Sequence, residues 1–228
     1  EDRQSNKMLT FALQIAGPCL FIALQVSCVF VALEIAAMKS VKKLSAVPFV
    51  SLLACGFYWS LYGWLKSDMT IFVPNAISIA TGMYCMWVYY AYASLKPDLL
   101  YCSLALFLFF GGCLGFMGMA TSIGTIGCVM SVLMSGSPLA VIKTVIKEQS
   151  TASLPFSTSF VAWLNSCSWV AYGYFIAHDP MILMPNTLGL MLTTLQMSLF
   201  VVFGVTAASQ QSGGVVEVAS DLENPYNV

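Results

Sequence analysis

The chain contains two related stretches, PFVSLLACGFYWSLYGWLKSDMTIFVPN at residues 48–75 and PFSTSFVAWLNSCSWVAYGYFIAHDPMILMPN at residues 155–186. The distance between matching residues grows from 107 at the first proline, through 110 at the tryptophan, to 111 at the asparagine. Both copies lie in strongly apolar sequence, which indicates a duplicated membrane unit, and transporters built from two repeats place their substrate site where the repeats meet. The matching residues are Pro48-Phe49, Trp59, Tyr62-Gly63, Asp68 and Pro74-Asn75 in the first copy, and Pro155-Phe156, Trp169, Tyr172-Gly173, Asp179 and Pro185-Asn186 in the second.

The composition is that of a membrane protein. Of 228 residues, 59% are hydrophobic and 8% are charged, and the mean hydropathy is +0.83. A soluble domain carries about 25% charged residues, so lipid is the expected surroundings of this chain. The net charge is −1, and the absence of a basic patch in the sequence argues against a nucleic-acid partner. No nucleotide-binding loop, serine–histidine pair or metal cluster indicates an enzyme, so we expect neither catalysis nor a cofactor.

The cysteines do not form a metal or disulfide pattern. They are scattered singly through apolar runs, there is no CxxC pair, and the chain has one histidine, His178. Metal sites need clustered ligands, so we interpret the cysteines as small packing residues in helices. The eight are Cys19, Cys28, Cys55, Cys85, Cys102, Cys113, Cys128 and Cys167.

Uncharged runs predict the spans, because a helix needs about 20 residues to cross a bilayer. The run at 99–142 is long enough for two spans, which we divide at a turn near Thr121-Ser122, and the count becomes seven. We predict an all-α membrane protein of two parallel three-helix repeats joined by a linker helix (3+1+3). The runs are 8–33, 44–65, 69–95, 99–142, 149–177 and 180–216. The predicted units are a first repeat at 8–95, a linker helix at 99–120, a second repeat at 123–206 and a mobile cytosolic tail at 207–228.

Basic residues orient the predicted bundle. One face has more lysines than the other, and the positive-inside rule makes the richer face cytoplasmic. The N-terminus is then outside and the C-terminus is cytosolic, in a multi-pass membrane protein for which the plasma membrane is the first expectation and an endomembrane the second. The richer face carries Lys39, Lys42, Lys43, Lys96, Lys143 and Lys147, and the other carries Arg3, Lys7 and Lys66.

Four polar side chains fall at one predicted depth, two from each repeat. Trp59, Asn75, Trp169 and Asn186 lie about 9–12 Å below the outer surface, from a helix rise of about 1.5 Å per residue. An amide offers donors and an acceptor, so the two asparagines can bind vicinal hydroxyls of a neutral polyol while the indoles pack on its C–H faces. The alternatives are that the asparagines join helices and that the tryptophans belong to an interfacial belt.

Prolines give a second signal. Pro48, Pro138 and Pro155 lie inside or at the ends of spans, where we expect each to remove a backbone hydrogen bond and to act as a hinge. Packing irregularity is the alternative, since proline is common in membrane helices. No acidic residue lies in the middle of a predicted span, and proton coupling needs a buried titratable group. The sequence therefore favours passive facilitation.

The paired motifs, together with Ser137-Pro138-Leu139, Ser150 and Lys39-Ser40, resemble those of the SWEET (MtN3/saliva) sugar transporters over about residues 10–205. The resemblance implies a bidirectional, facilitative sugar uniporter that works by alternating access and forms a homo-oligomer. It implies that Asn75 and Asn186 contact the sugar, with Trp59 and Trp169 closing on it. Three of the four hinge prolines of the family are matched, and Cys28 stands at the fourth position, in the first span.

The resemblance also implies a substrate size and a gate. Four pocket positions, which are small in sucrose carriers and bulky in hexose carriers, correspond here to Leu24, Met134, Cys55 and Asn165. Three of the four are bulky, so we expect a monosaccharide such as glucose. The family pairs a tyrosine and an aspartate at the extracellular gate, and Tyr62 and Asp179 match those positions. Tyr62 can equally be an interface anchor.

Two other classes stay open at this stage. One is a PQ-loop transporter of another small solute such as an amino acid, although the pairs here are Pro-Phe and Pro-Leu rather than Pro-Gln. The other is a seven-helix receptor, for which the chain lacks the Asp-Arg-Tyr and Asn-Pro-x-x-Tyr signatures.

Overall fold

The computed structural model of the chain describes residues 2–134, 136–206 and 209, and of residues 2–6, 9 and 136–138 it describes the backbone alone. The tail predicted at 207–228 lies outside the described residues, except for residue 209. The helices are α1 (Asp2–Met38), α2 (Val47–Leu65), α3 (Met69–Tyr92), α4 (Asp98–Phe116), α5 (Ala120–Met134), α6 (Gly136–Glu148), α7 (Phe156–Tyr172) and α8 (Pro180–Phe203), with a π-helical turn at Gly173–Ala177.

The predicted fold class is confirmed, because the described elements are helices in a 3+1+3 arrangement. α5 and α6 together form one membrane-length segment. The turn before α5 lies at residues 117–119, around Gly118 with a φ of +69°, so the turn expected near Thr121-Ser122 was placed slightly too late. Among the residues that the structure describes, five segments are long and apolar enough to cross a membrane: Thr10–Met38, Met69–Tyr92, Asp98–Phe116, Ala120–Glu148 and Pro180–Phe203.

Each repeat is a three-helix unit, and the units meet through specific pairs of helices. In the first repeat α3 packs against both α1 and α2, and in the second repeat α8 packs against α5, α6 and α7. Between the repeats α1 contacts α7 and α2 contacts α5. The linker α4 packs on α2 and α5, where the Tyr58 hydroxyl donates to the Phe107 carbonyl at 2.8 Å. The linker therefore lies beside the contact between repeats rather than within it.

The two ends of the bundle have different cores. We call the end with residues 66–68, 117–119 and 178–179 the aspartate end, and the end with residues 39–46, 93–97 and 149–155 the lysine end. Buried side chains of both repeats and α4 share one core toward the aspartate end, including Tyr62, Leu114, Ile123, Trp169, Tyr172 and Ile182. Toward the lysine end each repeat has its own core, one around Ile35, Phe49 and Tyr89, the other around Val145, Leu154 and Phe200.

The proline positions differ in part from expectation. Pro48 lies in the first turn of α2, and Pro155 is the N-cap residue of α7. Neither a first-turn proline nor an N-cap proline removes a hydrogen bond that the helix would otherwise make, so the expectation that Pro48 and Pro155 each remove a backbone hydrogen bond was wrong. Pro138 lies near the start of α6, and its side chain is outside the described residues. The prolines within described helices include Pro18, Pro74 and Pro185.

Close helix contact in the first repeat depends on a glycine. A Cβ atom added to Gly82 of α3 would lie 2.7 Å from the Cβ and 2.9 Å from the Cα of Leu53 on α2. Both atoms are next to or part of the backbone, so no side-chain rotation relieves the overlap. The contact fixes the distance between the two helices that carry Trp59 and Asn75.

We predict that Gly82→Ala destabilises the protein by about 1–3 kcal/mol, the usual effect of overpacking. The control is Gly112→Ala on α4, where an added Cβ meets nothing within 4 Å. Thermal unfolding in detergent should show a lower midpoint for Gly82→Ala alone. Equal midpoints for the two variants would contradict the close approach of α2 and α3.

Candidate functional site

A cavity of about 270 Å³ lies between the two repeats. Seven of the eight predicted binding residues line it. The exception is Leu24, and Phe21, one turn earlier on α1, is in the lining instead. The lining residues are Phe21, Leu52, Cys55, Gly56, Trp59, Ile71 and Asn75 from the first repeat, with Ser131, Met134, Asn165, Trp169, Ile182, Pro185 and Asn186 from the second.

Each asparagine of the cavity is held by its own helix. Asn75 Nδ2 donates to the Ile71 carbonyl at 2.8 Å, and Asn186 Nδ2 donates to the Ile182 carbonyl at 2.7 Å. A proline precedes each asparagine and lacks the N–H that would continue the helical ladder, so the amide adds a side-chain bond where the ladder is weakened. One N–H hydrogen and the Oδ1 atom of each amide remain for another partner.

Each tryptophan packs against a glycine of the opposite repeat. A Cβ atom on Gly127 of α5 would lie 3.1 Å from Trp59 Cε2, and one on Gly17 of α1 would lie 3.2 Å from Trp169 Cε2. The glycines therefore let each indole reach across the contact between repeats. Trp59 Nε1 also donates to Ser131 Oγ at 3.2 Å.

The aspartate end is closed by two reciprocal hydrogen bonds. The Tyr62 hydroxyl donates to Asp179 Oδ2 at 2.6 Å, and the Tyr172 hydroxyl donates to Asp68 Oδ2 at 2.6 Å. Each bond joins one repeat to the other. Lys66 Nζ lies 3.9 Å from Asp179 Oδ2, and since Lys66 is half exposed its ion pair adds little.

Each aspartate uses one carboxylate oxygen to cap a helix and the other to bind the tyrosine of the opposite repeat. Asp68 Oδ1 accepts from the backbone N–H groups of Thr70 and Ile71 at the start of α3. Asp179 Oδ1 accepts from the Met181 N–H at the start of α8. N-caps of this kind fix the carboxylate against the helix. The N-cap bonds therefore orient Oδ2 toward the tyrosine of the other repeat.

The π-helical turn keeps the two tyrosine–aspartate bonds alike despite a difference in length between the repeats. The second repeat has one more residue between its Tyr-Gly pair and its aspartate, and Gly173–Ala177 absorbs that residue within the helix. The residue before each aspartate keeps the same left-handed conformation, with φ of 56° at Ser67 and 50° at His178. The backbone therefore enters the aspartate in the same conformation in both copies.

Sequence reasoning missed the Tyr172–Asp68 bond and the cavity positions of Phe21 and Ser131. The Tyr172–Asp68 bond is the repeat counterpart of the expected Tyr62–Asp179 pair, and pairing the two copies residue by residue would have found it. Phe21 and Ser131 occupy equivalent positions of α1 and α5, but their residue types differ. Neither carries a motif, so no sequence signal pointed to them.

A sequence profile of the MtN3/saliva family, described as sugar efflux transporters for intercellular exchange, matches residues 11–97 and 121–208. The sugar transporter SWEET1 of Caenorhabditis elegans is 29% identical over 171 residues, which cover 73% of this chain and 56% of that protein. SWEET1 of Drosophila pseudoobscura pseudoobscura is 31% identical, with 79% and 84% covered. The bidirectional sugar transporter SWEET11 of Arabidopsis thaliana is 29% identical, with 89% and 74% covered.

A solved 3.7 Å structure of a eukaryotic SWEET transporter has the same fold. The TM-score is 0.74 at 24% identity, and the superposition covers 86% of this chain and 97% of that one. The fold and the cavity thus define a membrane transporter of two repeats. The chain belongs to the SWEET (MtN3/saliva) family, whose members are transporters and not enzymes.

We predict that the double variant Tyr62→Phe/Tyr172→Phe slows sugar flux much more than it lowers the yield of folded protein. Hydrogen bonds to charged groups contribute about 1.5–3 kcal/mol each, and the variant removes both hydroxyl donors while both N-caps stay. Initial rates in proteoliposomes, divided by the amount of folded carrier, measure the effect.

The matched control for this variant is Tyr58→Phe. Its hydroxyl bonds to α4 rather than to the opposite repeat, so its loss leaves the aspartate end closed. A rate per folded molecule that is equal in the double variant and the control would show that the crossed bonds have no part in transport.

Proposed function

We propose that the protein is a bidirectional, facilitative sugar uniporter that binds a monosaccharide in the cavity between its repeats and works by alternating access. The observation that carries the proposal is the position of Asn75 and Asn186, equivalent residues of the two repeats that line one cavity. An amide from each side can bind hydroxyls of one small molecule, and the indoles of Trp59 and Trp169 supply apolar faces. The names of the relatives, which are sugar transporters, support the same substrate class.

The lining favours a neutral substrate. None of the described residues that line the cavity carries a charged side chain. A charged solute would lose its hydration without gaining an opposite charge, which is costly in a desolvated site. Hydroxyl groups need only donors and acceptors, and the amides supply both. This argues against an amino acid as the substrate.

The unequal ends of the bundle support alternating access. The repeats are joined at the aspartate end by one core and two hydrogen bonds, whereas at the lysine end each has a separate core. Such an arrangement lets the repeats separate at the lysine end while they stay closed at the other. With the lysine end cytoplasmic, as the positive-inside rule indicates, the separate cores at that end support an inward-facing conformation.

Size favours a monosaccharide over a disaccharide. The cavity of about 270 Å³ lies just below the usual range of small-molecule pockets, about 300–1,000 Å³. Phe21, Met134 and Asn165 are bulky lining residues, and an Asn side chain fills space that a serine would leave.

We place the carrier in the plasma membrane, with its N-terminus outside, as a homo-oligomer.

We predict that Asn75→Ala and Asn186→Ala each abolish saturable glucose flux in proteoliposomes that have no ion gradient. The control is Thr187→Val, because Thr187 bonds the Leu183 carbonyl in the way that Asn186 bonds the Ile182 carbonyl, yet Thr187 does not line the cavity. It should retain flux. Wild type without flux from folded protein would overturn the proposed function.

A second prediction concerns the substrate. Labelled glucose should enter wild-type proteoliposomes faster than labelled sucrose at equal concentration, because the cavity has little room for a second ring. Asn165→Ser should raise sucrose uptake relative to glucose uptake. A preference of the wild type for sucrose would refute the size argument while leaving sugar transport in place.

A further inference from the structure

Ser131 satisfies the polar groups on one wall of the cavity. Its Oγ accepts from Trp59 Nε1 at 3.2 Å and lies 3.8 Å from Cys55 Sγ. Its hydroxyl donates to the Gly127 carbonyl, one turn earlier on α5, at 2.9 Å. The indole N–H of the first repeat is therefore already used by the protein.

The equivalent position in the other half of the cavity is occupied by Phe21. The glycine contacts show the equivalence, because Gly17 lies four residues before Phe21 and meets Trp169 Cε2 at 3.2 Å, whereas Gly127 lies four residues before the serine and meets Trp59 Cε2 at 3.1 Å. Phe21 therefore has the same position relative to Trp169 as Ser131 has relative to Trp59. A phenyl ring has no hydroxyl to offer.

Two polar groups of α7 consequently lack a protein partner. Asn165 Oδ1 is buried and has no hydrogen-bond partner among the described residues. Trp169 Nε1–H also makes no hydrogen bond in the part of the chain that the structure describes. Both residues line the cavity, and they lie four residues apart, about one helical turn. The unsatisfied acceptor is buried, which is costly, and the unbonded donor lies about one turn away on the same helix.

We propose that one hydroxyl group of the transported sugar binds between Asn165 and Trp169, and that it bonds to these two side chains as the Ser131 hydroxyl bonds to Cys55 and Trp59 in the other half. A hydroxyl both donates and accepts, so it accepts from Trp169 Nε1–H and donates to Asn165 Oδ1 once the amide turns about its Cβ–Cγ bond. Phe21 packs on the opposite, C–H face of the ring. The inference rests on the proposed function, since it requires a substrate with hydroxyl groups.

The inference predicts an oriented substrate in a nearly symmetric cavity. The α7 wall binds a hydroxyl, whereas the α2 wall, where Trp59 is bonded to Ser131, presents mainly a face for packing. Phe21 is then a specificity-determining residue. Because its phenyl ring has no hydroxyl, it does not compete with the substrate for Asn165 and Trp169.

The test compares Phe21→Ser with Phe21→Ala. Both remove the ring, but only the serine supplies an internal hydroxyl that competes for Trp169 Nε1–H. We expect the KM for glucose of Phe21→Ser to exceed that of Phe21→Ala by about three- to tenfold, the effect of one hydrogen bond. The excess should disappear for the one monodeoxyglucose that lacks the bound hydroxyl. Equal KM values for glucose in the two variants overturn the inference.

A second pair of variants tests the donor itself and avoids any effect on the folding of α1. Replacing Trp169 with 3-benzothienylalanine exchanges the N–H for sulfur and should raise the glucose KM by about three- to tenfold. The same exchange at Trp59, whose N–H already serves Ser131, should raise it less. An equal or larger effect at Trp59 overturns the inference. If wild type carries glucose the proposed function stands in either case, whereas a wild type without flux refutes both.

Discussion

The crossed pair of tyrosine–aspartate hydrogen bonds is the constraint on which the arrangement of the repeats depends. Tyr62 reaches Asp179 and Tyr172 reaches Asp68, so each repeat holds the other at the aspartate end. Because the aspartates also cap α3 and α8, the bonds fix the starts of the helices that carry Asn75 and Asn186. The distance across the cavity between the two amides is therefore set by bonds made outside it.

The cavity lies between one end at which the repeats share a core and another at which each has its own. At the aspartate end, breaking the contact costs two charge-assisted hydrogen bonds and a shared apolar core. At the lysine end the repeats have separate cores, so relative movement there leaves the packing within each repeat intact. In the proposed alternating-access cycle, each three-helix unit would therefore move as a rigid body.

Much of this could be predicted from the sequence, since duplication leaves a signal that needs no alignment with other proteins. The paired motifs indicated the 3+1+3 fold, and the pairing of Trp59 with Trp169 and of Asn75 with Asn186 predicted which residues share a level. The structure places all four around one cavity. The length of the uncharged run at 99–142 indicated two spans, but it did not show where the turn between them lies, which is at residues 117–119 around Gly118.

What could not be predicted depends on contacts between elements. Uncharged runs place Pro48 and Pro155 inside their spans, whereas in the structure Pro48 lies in the first turn of α2 and Pro155 is the N-cap of α7. Phe21 replaced Leu24 in the cavity wall because the rotation of α1 is set by Gly17 against Trp169, a contact between repeats. The roles of Ser131 and Phe21 differ only because their side chains differ, and repeat symmetry alone cannot reveal a departure from symmetry.

The π-helical turn has a consequence for how the two halves change over time. By absorbing an inserted residue inside a helix, Gly173–Ala177 leaves the aspartate that follows in register with a tyrosine of the other half. The halves can accordingly diverge in length and in side chains, as their cavity walls have done, provided that each keeps what its opposite needs. Inheritance at the gate therefore couples positions more than 100 residues apart, Tyr62 with Asp179 and Asp68 with Tyr172. A half taken from a distant relative would make both bonds with the other half only if it brought the tyrosine and the aspartate of its own copy.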